Sequence, residues 1–176
     1  VSYMDAEIGR LISFLRESNM LEDTLLIITA DHGEELYDHD NFIEHNHSLY
    51  EGVLHVPLIF YSSKFSKQPG KRHALTESVD IFPTVLSLAN IDPRKYDHAG
   101  YDLSQLFSGK KPPPNRDTLF SHFELTKHFK PAWSIRKGRW KSILRSNGNI
   151  KLYDLNFDPK ELYNLRDKDP PRVKEL

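Results

Sequence analysis

The first apolar pattern along the chain is helical. Met4, Ile8, Leu11, Ile12 and Leu15 recur every three or four residues and predict an amphipathic helix over 2–18. Asn19 follows as a left-handed stop. The next pattern differs: Thr24-Leu25-Leu26-Ile27-Ile28-Thr29-Ala30 is an unbroken aliphatic and β-branched block, the composition of a strand buried on both faces. It stops at Asp31-His32-Gly33-Glu34-Glu35. A second such block runs from Val56 to Tyr61, with Pro57 near its start, where a missing backbone donor is tolerated. Ile81, Val85 and Leu88 then share one face of a helix over 78–88, with Asp80 as its N-cap and Pro83 in its first turn.

Turn residues gather between 92 and 114: Pro93, Gly100, Gly109 and Pro112-Pro113-Pro114. Beyond them the pattern is one of short strands, over 119–124, 133–136, 140–144 and 151–155. Gly138 and Ser146-Asn147-Gly148-Asn149 separate them, as in an antiparallel sheet of hairpins. Residues 159–162 read as the start of a helical turn and 166–175 as a solvated tail. The fold class expected is α/β: part of a mixed sheet flanked by helices over 1–111, followed by a small antiparallel β subdomain over 112–176.

Composition narrows the function. The 176 residues carry 24 Lys and Arg against 25 Asp and Glu, a net charge of −1, so no electrostatic footprint for nucleic acid exists. The absence of cysteine excludes disulfides and a cysteine nucleophile within the chain. No apolar run approaches the roughly 18 residues of a membrane span.

The chemistry is expected at the end of the first strand, because open α/β sheets gather it beyond the carboxyl ends of their strands. Asp31 offers oxygen and His32 nitrogen, and a tight turn at Gly33 brings both to one cation. A divalent cation takes about four to six ligands, so the pair is at most part of a site. Five of the nine histidines fall between His32 and His55. His39 and His55 read as structural, His55 filling a polar packing slot. Glu34, Glu35 and Asp38 either orient His32 or line a solvated loop. Arg136, Lys137, Arg139 and Lys141 read as ordinary hairpin positions rather than a nucleic-acid surface built with Trp133 and Trp140.

In order, these segments resemble the later part of the sulfatase family of the alkaline phosphatase superfamily. Met4-Asp5-Ala6-Glu7-Ile8-Gly9-Arg10-Leu11 resembles the helix before the family's metal strand, and Thr24 to Glu34 resembles that strand and its turn. Leu49-Tyr50-Glu51 with Val56-Pro57-Leu58-Ile59 resembles the next segment. Asp80-Ile81-Phe82-Pro83-Thr84-Val85-Leu86-Ser87-Leu88-Ala89 and Gly100-Tyr101-Asp102-Leu103 follow in register. Ile135 to Lys141, Leu152-Tyr153-Asp154-Leu155 and Asp158-Pro159 resemble the closing sheet.

The resemblance implies that Asp31 and His32 bind a divalent cation, calcium first and magnesium or manganese as alternatives. It implies a formylglycine nucleophile made from Cys or Ser ahead of x-Pro-x-Arg, which this chain lacks; Pro112-Pro113-Pro114-Asn115-Arg116 has Pro at that position. The chain is therefore expected to be a C-terminal portion, with the remaining N-terminal part of the same protein as its partner. Where many sulfatases have Lys four residues before Tyr-Glu, this chain has Asn46, flanked by His45 and His47. His45 is the candidate for binding the ester and protonating the leaving group, with His47 as a second substrate contact. The expected reaction is hydrolysis of a small-molecule or glycan sulfate ester. A phosphodiesterase or phosphotransferase of the same superfamily is one alternative. Another is an isolated chain that is inactive or a scaffold and self-associates through exposed apolar edges.

Overall fold

The computed structural model describes residues 2–39, 48–64, 69–108, 116–124 and 130–176. The chain forms two compact units that interleave in sequence. One comprises Val1–Thr29, Pro57–His73 and Val79–Pro113; the other comprises Ala30–Val56, Ala74–Ser78 and Pro114–Leu176. Among the described residues no helix is long and apolar enough to cross a membrane.

In the first unit, helix α1 spans Ser2–Glu17. Asn19 follows it with φ +56°, the left-handed stop its amide side chain favours. Strand β1 (Leu26–Thr29) pairs antiparallel with β2 (Leu58–Tyr61), with Leu26 opposite Tyr61 and Thr29 opposite Leu58. The aliphatic block of β1 is half-buried rather than enclosed, since β2 is its one ladder partner among the described residues. Helix α3 spans Ile81–Leu88 and is entered through a 3-10 turn at Ser78–Asp80. Asp80 does not cap it. Its own backbone is already helical, and its buried Oδ1 accepts from the Tyr101 amide at 2.7 Å. Thr84 Oγ1 donates to the Asp80 carbonyl at 2.6 Å and accepts from the Leu103 amide at 2.9 Å. The polar groups at the start of α3 thus tie down the loop at 100–103, whose Leu103 is buried with Leu106 and Leu21.

The second unit is built on four antiparallel strands in sequence order: β3 (Thr118–Phe123), β4 (Ala132–Lys137), β5 (Trp140–Arg145) and β6 (Ile150–Asp154). Gly138, at φ +58°, makes the two-residue β4–β5 turn, a backbone conformation glycine adopts without a Cβ clash. One sheet face carries Ala132, Ile143 and Tyr153, which pack with Leu49 and Tyr50 as the core. Edge strand β6 is covered by the chain that follows. The Leu165 amide donates to the Leu152 carbonyl at 2.8 Å, and Asn164 Oδ1 accepts from the Leu152 amide at 3.0 Å. The segment 159–162 is a non-helical turn in which Glu161 has φ +56°. The tail is largely exposed, as expected, and its end forms helix α4 (Pro170–Glu175), capped by Asp169, with the Arg172 guanidinium 5.0 Å from the Trp140 ring centre. The Asp169 cap and this cation–π contact together help to hold so polar a segment in place.

Candidate metal centre

Asp31 and His32 follow β1 directly. Asp31 Oδ1 accepts from the His32 amide at 2.9 Å. His32 Nδ1 lies 2.9 Å from the Gly33 carbonyl oxygen. A carbonyl can only accept, so Nδ1 carries a proton, and Nε2 is the acceptor nitrogen of the neutral ring. Nε2 lies 3.7 Å from Asp31 Oδ2. Two donors at that separation accommodate one cation with bonds of roughly 2.0–2.5 Å. The side chains are 89% and 39% exposed for Asp31 and His32, so the pair is accessible to an ion. Among the described residues no third His, Asp or Glu joins them to complete a metal set. The donor set fits part of a divalent cation site.

Gly33 holds this turn in a way the sequence did not indicate. Its φ is ordinary; what demands glycine is proximity. A Cβ there would run into the Gly52 carbonyl oxygen. The Gly33 amide donates to the Val53 carbonyl at 2.8 Å. Gly52 and Val53 belong to α2 (Glu51–Leu54), a single helical turn. The turn bearing Asp31 and His32 is therefore seated on α2 through backbone contacts of Gly33.

Of the acidic neighbours, Glu35 does other work. Glu35 is buried; Ser48 Oγ donates to its Oε1 at 2.6 Å, and its Oε2 lies 3.0 Å from His39 Nδ1. It has no part in orienting His32, whose ring is fixed by the Gly33 carbonyl. His39 is structural, as expected. Its Nε2 donates to the Lys160 carbonyl at 2.9 Å, and its ring stacks on Tyr50 at 3.6 Å between centres. With acceptors at both nitrogens, one proton must lie between Nδ1 and Glu35 Oε2. His55 fills no packing slot: its side chain is 76% exposed, 3.9 Å from Glu51 Oε2. His45 and His47, with Asn46 between them, lie outside the described residues.

The residues missed in sequence are ionic. Glu51 Oε2 accepts from Arg136 Nη1 at 2.8 Å and Oε1 from Lys141 Nζ at 2.9 Å. Lys141 Nζ is also 2.9 Å from Glu161 Oε1, an ion contact outside hydrogen-bond geometry. Glu161 Oε2 accepts from the Glu51 amide at 2.5 Å. Burial pushes the Glu161 carboxyl above the usual glutamate range, against the opposing pull of Lys141. Burial likewise raises the Tyr153 phenol, helped by its hydrogen bond with Tyr50. A signal for this cluster was present. In strand Trp140–Arg145, Lys141 alternates into phase with Ile143, a core position, and a lysine there needs a buried anion.

The sulfatase family model matches residues 1–91. Over 181 residues the chain is 34% identical to Arylsulfatase K of Gallus gallus, covering 98% of this chain and 33% of that protein. It is 30% identical over 168 residues to the choline-sulfatase of Rhizobium meliloti (strain 1021), covering 94% and 31%. Among solved structures, a 2-O GAG sulfatase aligns with a TM-score of 0.85 at 25% identity, covering 98% of this chain and 38% of that one. The phosphonate monoester hydrolase of Agrobacterium radiobacter aligns with a TM-score of 0.82 at 27% identity, covering 97% and 37%. The chain spans about a third of the length of the curated relatives it matches. The α/β architecture, with its helices and antiparallel sheets, is that of these alkaline-phosphatase-like neighbours. From a family match running from α1 through Asp31 and His32 to α3, it follows that the chain belongs to the sulfatase family.

Proposed function

We propose that this chain supplies part of the cation site of a sulfuric ester hydrolase, with Asp31 and His32 as ligands. The observation carrying this reading is the His32 Nδ1 bond to the Gly33 carbonyl, which leaves Nε2 as the acceptor nitrogen 3.7 Å from Asp31 Oδ2. Similarity to an arylsulfatase and a choline-sulfatase supports the reaction class. Calcium is the cation favoured, with magnesium and manganese as alternatives. When bound, such a cation polarises the ester oxygens and favours the deprotonated nucleophile. Asp31 contributes charge and His32 a fixed neutral nitrogen, while Gly33 keeps both on the backbone of α2. His45 is the proposed proton donor to the leaving alkoxide, with His47 beside it as a substrate contact. The nucleophile of this reading is a formylglycine, for which this chain has no Cys or Ser motif, so the chain alone turns nothing over. The substrate is a small-molecule or glycan sulfate ester.

A second reading, a phosphodiester or phosphonate monoester hydrolase, draws on the structural similarity to a phosphonate monoester hydrolase and on Asn46 at the lysine position. An assay of the full-length protein carrying this chain with an aryl sulfate and an aryl phosphodiester separates the two. Turnover of the aryl sulfate, lost in Asp31→Ala, is expected. Turnover of the phosphodiester alone would transfer the assignment to the second reading.

A further inference from the structure

Glu51, Arg136, Lys141 and Glu161 take no part in the chemistry described above, yet Lys141 and Glu161 are among the most deeply buried side chains of their unit. The β4–β5 register sets Arg136 directly opposite Lys141. Like charges in that relation repel. They are reconciled by Glu51, which gives one carboxylate oxygen to each, at 2.8 and 2.9 Å. Glu161 contacts Lys141 with one oxygen and accepts from the Glu51 amide with the other. Glu51 is thus held at side chain and backbone together, and it is the first residue of α2.

A four-residue helix has no stability of its own, because nucleation costs more than one turn returns. The position of α2 is set by what grips it. The same turn provides the seat for Gly33, through the Val53 carbonyl and the close approach to Gly52. Gly33 adjoins His32, and its carbonyl fixes the imidazole. A continuous chain of contacts therefore runs from Lys141 through Glu51, α2 and Gly33 to the ring of His32. Without the Lys141 ammonium, half-buried Glu51 and buried Glu161 would face each other with only Arg136 left to hold Glu51, and Glu51 would shift and take α2 with it.

We propose that Lys141 is a positioning residue for the Asp31–His32 pair, acting through Glu51 and α2. This inference rests on the reading that the pair binds a cation. The test compares wild type with Lys141→Met, Lys141→Arg, the milder Glu51→Gln, and Arg139→Ala as a sheet control outside the chain of contacts. Two readouts are taken on the full-length protein carrying this chain: hydrogen exchange of the Gly33 amide, and broadening of the His32 ring resonances by Mn2+. In Lys141→Met, Gly33 protection is expected to fall, and the Mn2+ concentration giving equal broadening to rise by about tenfold, as for losing a group that orients a ligand. Lys141→Arg should recover part of both effects. Glu51→Gln should shift both in the same direction by less, and it decides the matter if Lys141→Met does not fold. Arg139→Ala should change neither. Unchanged Gly33 exchange in folded Lys141→Met, or in Glu51→Gln, would overturn the coupling. Wild type with no Mn2+ response at His32 would sink the cation reading, while the exchange data would still decide the coupling.

Discussion

Two polar groupings in the same compact unit are built in opposite ways. Asp31 and His32 are exposed, linked to each other and to the backbone of Gly33, and contribute little to burial. Glu51, Arg136, Lys141 and Glu161 are buried or half-buried, two anions and two cations joined by contacts of 2.5–2.9 Å. The first grouping can meet an ion from solvent; the second has met its counter-ions within the fold. Stability and chemistry are therefore separable here. A charge in water costs little to remove, whereas one partner of a buried set costs a great deal.

The widest gap should come from Lys141→Met. Removing one member of a buried ion pair costs about 3–5 kcal/mol, read by urea denaturation. A loss under 1 kcal/mol would erase the contrast. Gly33→Ala should follow, at about 1–3 kcal/mol, since a Cβ against the Gly52 carbonyl forces the backbone apart. It should also abolish protection of the residue 33 amide. A pH effect comes next. The folded pKa of Glu161 lies above its unfolded value, so the native state holds this proton more tightly. That contribution to stability is fully present below the unfolded value, 4.5, and is lost as pH rises through the raised folded value. Glu161→Gln should flatten this fall in a urea titration series. Smallest is Asp31→Ala, within about 0.5 kcal/mol of wild type because its carboxylate is exposed.

The contrast also explains what was legible in sequence. Helices α1 and α3 and the closing sheet were, because period and turn residues encode them: β4 and β5 match the expected strands to within a residue at each end. The Asp31–His32 ending was legible because the aliphatic block stops so sharply. The role of Gly33 was not, since close approach to Gly52 depends on a segment nineteen residues further along the chain. Asp80 misled for the same reason: its carboxylate serves the Tyr101 amide, a tertiary partner, instead of the helix it precedes. Lys141 looked like one charge in a basic hairpin. Its alternation into the core phase hinted at a buried anion, but the partner appears only when register places it opposite Arg136 and α2 brings Glu51 between them.

The central claim is that Asp31 and His32 act together as cation ligands on a turn seated against α2. The direct measurement is Mn2+ titration of the folded chain, followed by broadening of the His32 ring resonances in wild type and in Asp31→Ala. Weak broadening centred on His32 in wild type and absent from the variant is expected, as two ligands alone bind loosely. Equal broadening in both proteins, or broadening centred away from His32, would contradict the claim.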